Sequence, residues 1–172
     1  APFLESGANA WVDRVYDLKH LNFVIWFDLK LKTIRGTVRQ TLTILDDGAR
    51  ELPFDAEDIR ATGASIDNIN IPFRADDKKI YLQKPANVRA GDTVIVDISY
   101  EGSHSSGLHW TGPEPGYESK WYQCYSQGQS QNNHHWIPMH DYPNYRATWM
   151  STLHVSKELT AVSNGKFLGA TD

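Results

Sequence analysis

The chain has 172 residues, of which 40% are apolar and 22% are charged, and its formal net charge is −4. These values are typical of one globular domain with its own core, so a single domain over residues 1–172 is expected. Lysine and arginine are scattered along the chain, which argues against a nucleic-acid partner. The longest apolar run, residues 23–27, is too short to span a membrane. The one cysteine, Cys124, excludes an internal disulfide but does not distinguish the cytoplasm from export.

Alternation of apolar and polar residues dominates the first hundred positions. Every second residue is apolar over residues 21–31, and the next segment, residues 34–46, places its apolar side chains on one face. A period of two is typical of a strand with one buried face. A short polar link, Lys32 and Thr33, joins the two segments, which predicts an antiparallel hairpin.

Shorter strands are predicted further along, between turn-forming residues. They cover residues 51–55, 59–66, 68–73, 79–84 and 93–101. No segment of twelve or more residues shows the apolar period of a helix. Many short strands at regular spacing predict an all-β fold, either a sandwich or an open barrel.

The segment from residue 101 to 148 has a different character. It loses the alternation, and four of the six tryptophans and six of the seven histidines lie between residues 104 and 154. A loop-rich segment of this length inside a compact domain is usually functional. Alternation returns at residues 149–155, and Asn164-Gly165 predicts a turn that leads into a further strand.

Histidines in the loop-rich segment raise the question of a metal site. A catalytic zinc site needs three protein ligands that converge on one point, and no His-Glu-x-x-His occurs in the chain. Neighbouring residues of a strand point to opposite faces, so His134 and His135 are not expected to bind one ion. A set drawn from His104, His109 and His140 stays open. No metal site and no cofactor are predicted for this chain.

Catalytic residues are not predicted either. There is no Gly-x-Ser-x-Gly, and His104 merely lies between two serines. Cys124 with a nearby histidine would suit a cysteine hydrolase, but a buried, inert thiol is the expected state. Spacing does not pair any of the carboxylates that would suit glycoside cleavage. These are Asp97, Glu101, Glu114, Glu118 and Asp141.

Amide side chains are the main polar groups that are left to consider in residues 125–143. Each amide offers one carbonyl acceptor and two N–H donors, which suits recognition better than proton transfer. The free amino terminus of a peptide is an ammonium with donors only, so it needs carbonyl or carboxylate acceptors around it.

Several motifs in order carry a resemblance to a known family. "SSGLHW", "QCYSQGQSQNNHHWIPMHDYPNYRAT" and "TAVSNG" resemble the amino-terminal β domain of zinc aminopeptidases of the aminopeptidase N and leukotriene hydrolase type. The similarity extends from about residue 16 to the end of the chain. It implies a saddle-like, mostly antiparallel β-sandwich that packs on a separate thermolysin-like domain. That domain would carry the catalytic zinc, so the resemblance implies that the chain is a fragment of an enzyme.

The resemblance also assigns roles to individual residues. Gln129 stands at the position that anchors the α-amino group of the substrate, and Gln127 at a wall of the pocket for the first side chain. On a strand the two would project the same way, and Gly128 between them would let a backbone or ligand approach. A neutral Gln129 should hold the ammonium more weakly than a glutamate would. Asp141 and Pro143 match a family turn whose backbone Asp141 would cap.

Two hypotheses follow for the function. In the first, the chain is the non-catalytic substrate-recognition domain of a zinc metallo-aminopeptidase, with zinc expected in the whole enzyme. Its partners would be a peptide amino terminus and the catalytic domain of the same polypeptide. In the second, the chain is a free-standing β-sandwich binding module for carbohydrate or protein. Sugar rings would then stack on Trp110, Trp121 and Tyr117.

Overall fold

A computed structural model describes residues 14–103, 106–142 and 146–171 of the chain. In these ranges the secondary structure consists of eleven strands and one turn of 3-10 helix, Asn133–His135, so the predicted all-β class is confirmed. No helix in the described ranges is long and apolar enough to cross a membrane. The strands are β1 (Tyr16–Asp28), β2 (Thr33–Ile44), β3 (Glu51–Asp55), β4 (Ile59–Ile66), β5 (Ile69–Asn70), β6 (Phe73–Ala75), β7 (Lys79–Gln83), β8 (Thr93–Gly102), β9 (Leu108–Thr111), β10 (Gln123–Ser126) and β11 (Thr148–His154).

The strands form three sheets of unequal size. The largest has six strands in the order β11-β1-β2-β8-β4-β5, and only the β1–β11 pair in it is parallel. A three-stranded sheet has the order β3-β7-β6, and β9 pairs with β10 in a two-stranded ribbon. Antiparallel pairing therefore dominates, as the resemblance implied.

The core lies between the two larger sheets. Tyr16 of β1 stacks on Phe54 of β3 with ring centroids 5.2 Å apart, and the Tyr16 hydroxyl donates to the carbonyl of Pro53 at 2.6 Å. Buried residues of both sheets and of the loop-rich segment form one cluster, which makes the domain sandwich-like. Its members include Leu18, Phe23, Ile25, Val38, Leu42, Val96, Ile98, Leu52, Ile80, Leu82, Leu108 and Ile137.

A bulge divides the long strand β1 into two halves. Its register against β2 shifts between Leu18 and His20. The buried positions are Tyr16 and Leu18 before the shift, and odd-numbered residues from Leu21 onward after it. One extra residue in a strand reverses which parity faces the core, so the bulge lets both halves bury apolar side chains.

The turn between β1 and β2 lies earlier than the sequence suggested. Asp28 ends β1, and its Oδ1 accepts the backbone N–H groups of Lys30 and Leu31 at 3.0 and 2.9 Å. The link therefore covers residues 29–32, and Thr33 already belongs to β2. Leu31 is 72% exposed, so the prediction that it continues the buried face was wrong. An aspartate that bonds backbone two and three residues ahead forms an Asx-turn, which ended the strand before its apolar pattern stopped.

The segment after β11 differs from its prediction in one respect. The chain bends at Asn164 and Gly165, where Gly165 has a φ of 96°, but no strand follows within the described residues up to 171. Val162, Phe167 and Leu168 are 88%, 78% and 76% exposed. A strand needs a partner for its backbone groups, and the described part of the domain offers this segment none.

Gly36 provides a test of the packing between β1, β2 and β8. A Cβ at this position would lie 2.8 Å from the carbonyl oxygen of Val24 and 3.1 Å from the ring of Tyr100. We expect Gly36→Ala to lower the free energy of unfolding by about 1–3 kcal/mol, because the clash is with backbone and a buried ring. Urea denaturation measures this. Gly63→Ala is the matched control, since nothing lies within 4 Å of its added Cβ, and an equal loss in both variants would contradict the account.

Candidate functional site

The ribbon of β9 and β10 brings two distant motifs together. Leu108 pairs with Ser126, and Trp110 pairs with Cys124. Just beyond the last pair, the backbone N–H of Gln127 donates to the carbonyl of Gly107 at 2.9 Å. The segments "SSGLHW" and "QCYSQGQ" therefore form one local unit, with the glutamines at its end.

The glutamines do not lie on a strand, contrary to prediction. β10 ends at Ser126, so Gln127 follows the strand and Gln129 lies in the next turn. Both side chains are exposed. The turn is closed by Asn132, whose backbone N–H donates to the carbonyl of Gly128 at 3.0 Å and whose Nδ2 donates to the carbonyl of Gln129 at 3.1 Å. The loop thus presents two amides to the outside from a backbone with its own hydrogen bonds.

Two glycines allow this loop to pack closely. Gly107 has a φ of 74°, and a Cβ there would lie 2.1 Å from the carbonyl oxygen of Asn132. A Cβ on Gly128 would lie 2.3 Å from Oδ1 of Asn133. The side chain of Asn133 in the same loop therefore fills the space beside Gly128. The sequence analysis had expected a backbone or a ligand to approach at this position. Positive φ and close backbone approach are the two conditions that require glycine.

Asp141 holds the far end of the loop. Its carboxylate accepts the backbone N–H groups of Asn133 and His134 at 2.7 and 3.0 Å, Nδ2 of Asn133 at 3.2 Å, and Nδ1 of His134 at 3.1 Å. Burial alone would raise its pKa, but these hydrogen bonds from His134 and Asn133 keep the pKa of Asp141 below its usual value. The same contacts raise the pKa of His134. Asp141 therefore caps the 3-10 turn that precedes it. The predicted turn that includes Pro143 lies outside the described residues.

Two residues that the sequence did not single out tie the loop to the sheets. The backbone N–H of Asp141 donates to Oδ2 of Asp55 at 3.1 Å, and Asp55 also pairs with the ammonium of Lys79. Gln40 is fully buried on β2, and its Nε2 donates to the carbonyl of Pro138 at 3.0 Å. Its position among the core residues of β2 was the only sequence signal, because an amide at a buried position requires a buried partner.

Substitution of Asp141 tests this anchoring. We expect Asp141→Asn to lower the free energy of unfolding by about 2–3 kcal/mol. The buried carboxylate accepts four hydrogen bonds, whereas an amide is neutral and one of its two polar atoms is a donor. Urea denaturation measures the loss, and amide exchange should become faster at Asn133 and His134. The exposed Asp77→Asn provides the control. Unchanged stability in Asp141→Asn would show that the loop is held by other contacts.

The other candidates for catalysis have structural partners. Cys124 is half-buried against the core, and burial raises the pKa of its thiol to about 11, as expected for an inert cysteine. His104 lies outside the described residues. Like Asp141, each of the other carboxylates considered for glycoside cleavage bonds a cation or a backbone group. The partners are Arg39 for Asp97, Arg60 for Glu101, Lys120 for Glu114 and the backbone N–H of Gly116 for Glu118.

The aromatic side chains proposed to stack on sugars are only partly available. Trp121 and Tyr117 are 86% and 53% exposed, but Trp110 is partly buried against the core. Trp136 also packs on the core, whereas Trp149 stacks on Phe23 and is 42% exposed. Of the three rings proposed to stack on sugars, Trp121 and Tyr117 are thus exposed and Trp110 is partly buried.

The glutamines lie outside the surface depression that the structure shows. That depression has a volume of about 1180 Å³ and is lined by residues of β1, β2, β4 and β8, including Trp26, Arg35, Arg60 and Glu101. Neither Gln127 nor Gln129 contributes to it. Both glutamines are exposed and lie outside this depression.

The histidine pair is arranged differently from the prediction. His134 and His135 belong to the 3-10 turn and not to a strand, and their rings stack with centroids 4.4 Å apart. The argument that they must face opposite sides was therefore wrong. Among the described residues, the group of potential metal ligands is Glu57, His134 and His135, and it contains neither His109 nor His140.

The fold and the paired motifs define a β domain of the type found at the amino-terminal side of zinc aminopeptidases. Residues 15–171 match the family model described as the Peptidase M1 N-terminal domain, so the chain belongs to this family.

Individual relatives are distant and much longer. The chain is 24% identical over 154 residues to leukotriene A-4 hydrolase of Xenopus laevis, which covers 86% of this chain and 25% of that protein. It is similar in fold to the M1 zinc metallopeptidase of Deinococcus radiodurans, with a TM-score of 0.77, 18% identity, and coverage of 93% of this chain and 37% of that one. Yeast LTA4 hydrolase in complex with bestatin gives a TM-score of 0.70 at 16% identity, covering 83% and 23%. The chain thus spans about a quarter of the length of the curated relative.

Proposed function

We propose that this chain is a single domain that recognises the substrate of a zinc aminopeptidase. In this proposal the amides of Gln129 and Gln127 receive the first residue of a peptide. The observation that carries it is the loop geometry, because both side chains are exposed while hydrogen bonds to Gly107 and Asn132 hold the backbone. A backbone that is already fixed removes the loop-ordering part of the binding cost, so only the side chains have to be ordered.

The chemistry of an amide suits the amino end of a peptide. The carbonyl oxygen of Gln129 would accept a hydrogen bond from the ammonium, and the amide of Gln127 would border the first side chain. Relatives support this choice of ligand, since a mutant M1 zinc metallopeptidase of Deinococcus radiodurans is described as bound to a Tyr-Ser-Ala substrate. The domain would contribute orientation of the substrate and not bond cleavage.

The catalytic zinc is assigned to a companion domain and not to this chain. The sequence carries no His-Glu-x-x-His segment, and zinc would supply the Lewis acid of the reaction in the whole enzyme. Exposed apolar side chains near the end of the described chain are candidates for the contact with such a domain. Trp149 is 42% exposed on β11, and Phe167 is 78% exposed beyond it.

Alanine substitution of Gln129 in the whole polypeptide tests the proposal. The specificity constant kcat/KM is compared between peptides with free and with blocked amino termini. Gln131→Ala is the control, because Gln131 lies in the same loop and is also exposed. The expected magnitudes are developed in the Discussion.

A further inference from the structure

A second polar cluster lies at the 3-10 turn, Asn133–His135, which follows the loop of the glutamines in the sequence. One oxygen of Glu57 and one nitrogen of each of His134 and His135 lie within 4.8 Å of one another. Oε1 of Glu57 is 3.7 Å from Nε2 of His134. Two imidazoles and one carboxylate form a donor set that suits zinc and related divalent transition metals.

The backbone explains why these three residues meet. In a 3-10 helix successive side chains are about 120° apart, so neighbouring histidines do not face opposite sides as they would on a strand. The backbone N–H of Glu57 donates to the carbonyl of His134 at 3.3 Å. Asp55 and Met139 form a further antiparallel bridge, with bonds of 2.8 and 3.1 Å. The β3–β4 connection is thereby fixed against the turn that carries the histidines.

Each imidazole is also oriented by a carboxylate. Nδ1 of His134 lies 3.1 Å from Oδ2 of Asp141, and Nδ1 of His135 lies 2.7 Å from Oδ2 of Asp58. An ionised carboxylate only accepts hydrogen bonds, so the Nδ1–H of each ring is the donor. Imidazoles that bind a metal almost always donate their other N–H to a carboxylate or carbonyl in this way. Each imidazole thus has a carboxylate at the position that the outer partner of a metal-binding histidine would occupy.

The local charge also favours a cation. Glu57, Asp58 and Asp141 contact the two rings directly. Carboxylates that lie close together repel one another, and a divalent ion among them relieves this repulsion. The side chains of His134 and His135 are only 14% and 12% exposed, so the attraction is weakly screened by solvent.

We propose that Glu57, His134 and His135 bind one divalent transition-metal ion of the zinc type. Ligand atoms of a tetrahedral zinc site are roughly 3.3 Å apart, so small side-chain rotations close the present arrangement. The ion would join the β3–β4 connection to the turn that follows the glutamine loop. Three protein ligands leave one position for water. This site is separate from the catalytic zinc of the proposed enzyme and does not depend on that proposal.

Zinc titration of the metal-stripped 172-residue chain by isothermal calorimetry tests the site. We expect one equivalent to bind with a dissociation constant in the micromolar range or below, together with a higher Tm in the presence of zinc. Cobalt(II) should give the intense visible absorption of a low-symmetry, four-coordinate site. Glu57→Gln and His135→Gln should each raise the Kd by at least about tenfold, and Asp58→Asn by about tenfold. Asparagine suits position 58 because its φ of 62° is a conformation that Asp and Asn tolerate.

Matched substitutions outside the cluster distinguish the site from general binding to surface histidines. His20→Gln and Glu118→Gln should leave the affinity unchanged, since both residues lie outside the cluster. Glu57→Gln is the decisive variant, because its side chain is 36% exposed and the change should not disturb folding. The circular dichroism of each variant without metal verifies this. Binding weaker than millimolar, or equal affinity in Glu57→Gln and His20→Gln, would overturn the proposal.

Discussion

The purified 172-residue chain should not hydrolyse any aminoacyl reporter substrate, and added zinc should not change this result. The loop of residues 127–132 offers neutral amides and one serine hydroxyl, and the carboxylates Asp97, Glu101 and Glu114 bond to cations. Cys124 has a pKa of about 11, so almost none of it is thiolate at neutral pH. Release of a fluorescent or coloured leaving group over hours is the measurement. The expected rate equals that of the buffer.

The interpretation of this result depends on the folded state of the sample. Circular dichroism and a cooperative urea transition establish that the chain is folded during the assay. The Gln129→Ala variant serves as a background control, because a trace of contaminating peptidase would act equally in both samples. Turnover that rises with the concentration of the wild-type chain, and that a substitution in this chain abolishes, would refute the assignment of catalysis to another domain.

Gln129→Ala, made in the longer aminopeptidase that is proposed to contain this domain, should lower kcat/KM for peptides with a free amino terminus by about 10- to 100-fold. A hydrogen bond to a charged group contributes roughly 1.5–3 kcal/mol, and each 1.36 kcal/mol corresponds to a factor of ten. Gln127→Ala should have a smaller effect that depends on the first side chain of the peptide. The measurement is steady-state kinetics with a series of aminoacyl substrates.

The control for this series lies two residues away. Gln131 is exposed in the same loop, so Gln131→Ala removes an amide of the same size without touching the proposed contact. Its kcat/KM should remain within about twofold of the wild type, which corresponds to less than 0.5 kcal/mol. Equal losses in Gln129→Ala and Gln131→Ala would mean that the loop responds to any truncation. The amine would then have another anchor.

Much of the fold could be predicted from the sequence because the burial of strands follows a simple period. The segments proposed at residues 51–55 and 59–66 are the observed strands β3 and β4. The period fails where a local backbone event intervenes. The bulge after Leu18 shifts the alternation of β1 by one residue. The Asx-turn at Asp28 ends the strand although the apolar alternation continues to Leu31.

The candidate site was predictable in composition but not in geometry. The motif located Gln127 and Gln129, yet it placed them on a strand that ends at Ser126. The contacts that hold the loop join residues far apart in sequence, as in the bond from Gln40 to Pro138. His134 and His135 were set aside because a strand was assumed there. A single 3-10 turn reversed that geometry, and short turns of this kind have no reliable sequence period.

The central claim is that the amide of Gln129 holds the amino group of a peptide, and a double-mutant cycle with an inhibitor tests it most directly. A competitive peptide inhibitor and its analogue without the α-amino group are measured against the whole enzyme and its Gln129→Ala variant. We expect loss of the amino group to weaken binding clearly in the wild type and much less in the variant, with a coupling of about 1 kcal/mol or more. If the amino group contributes equally in both enzymes, Gln129 does not contact it, and the proposed role of this domain is contradicted.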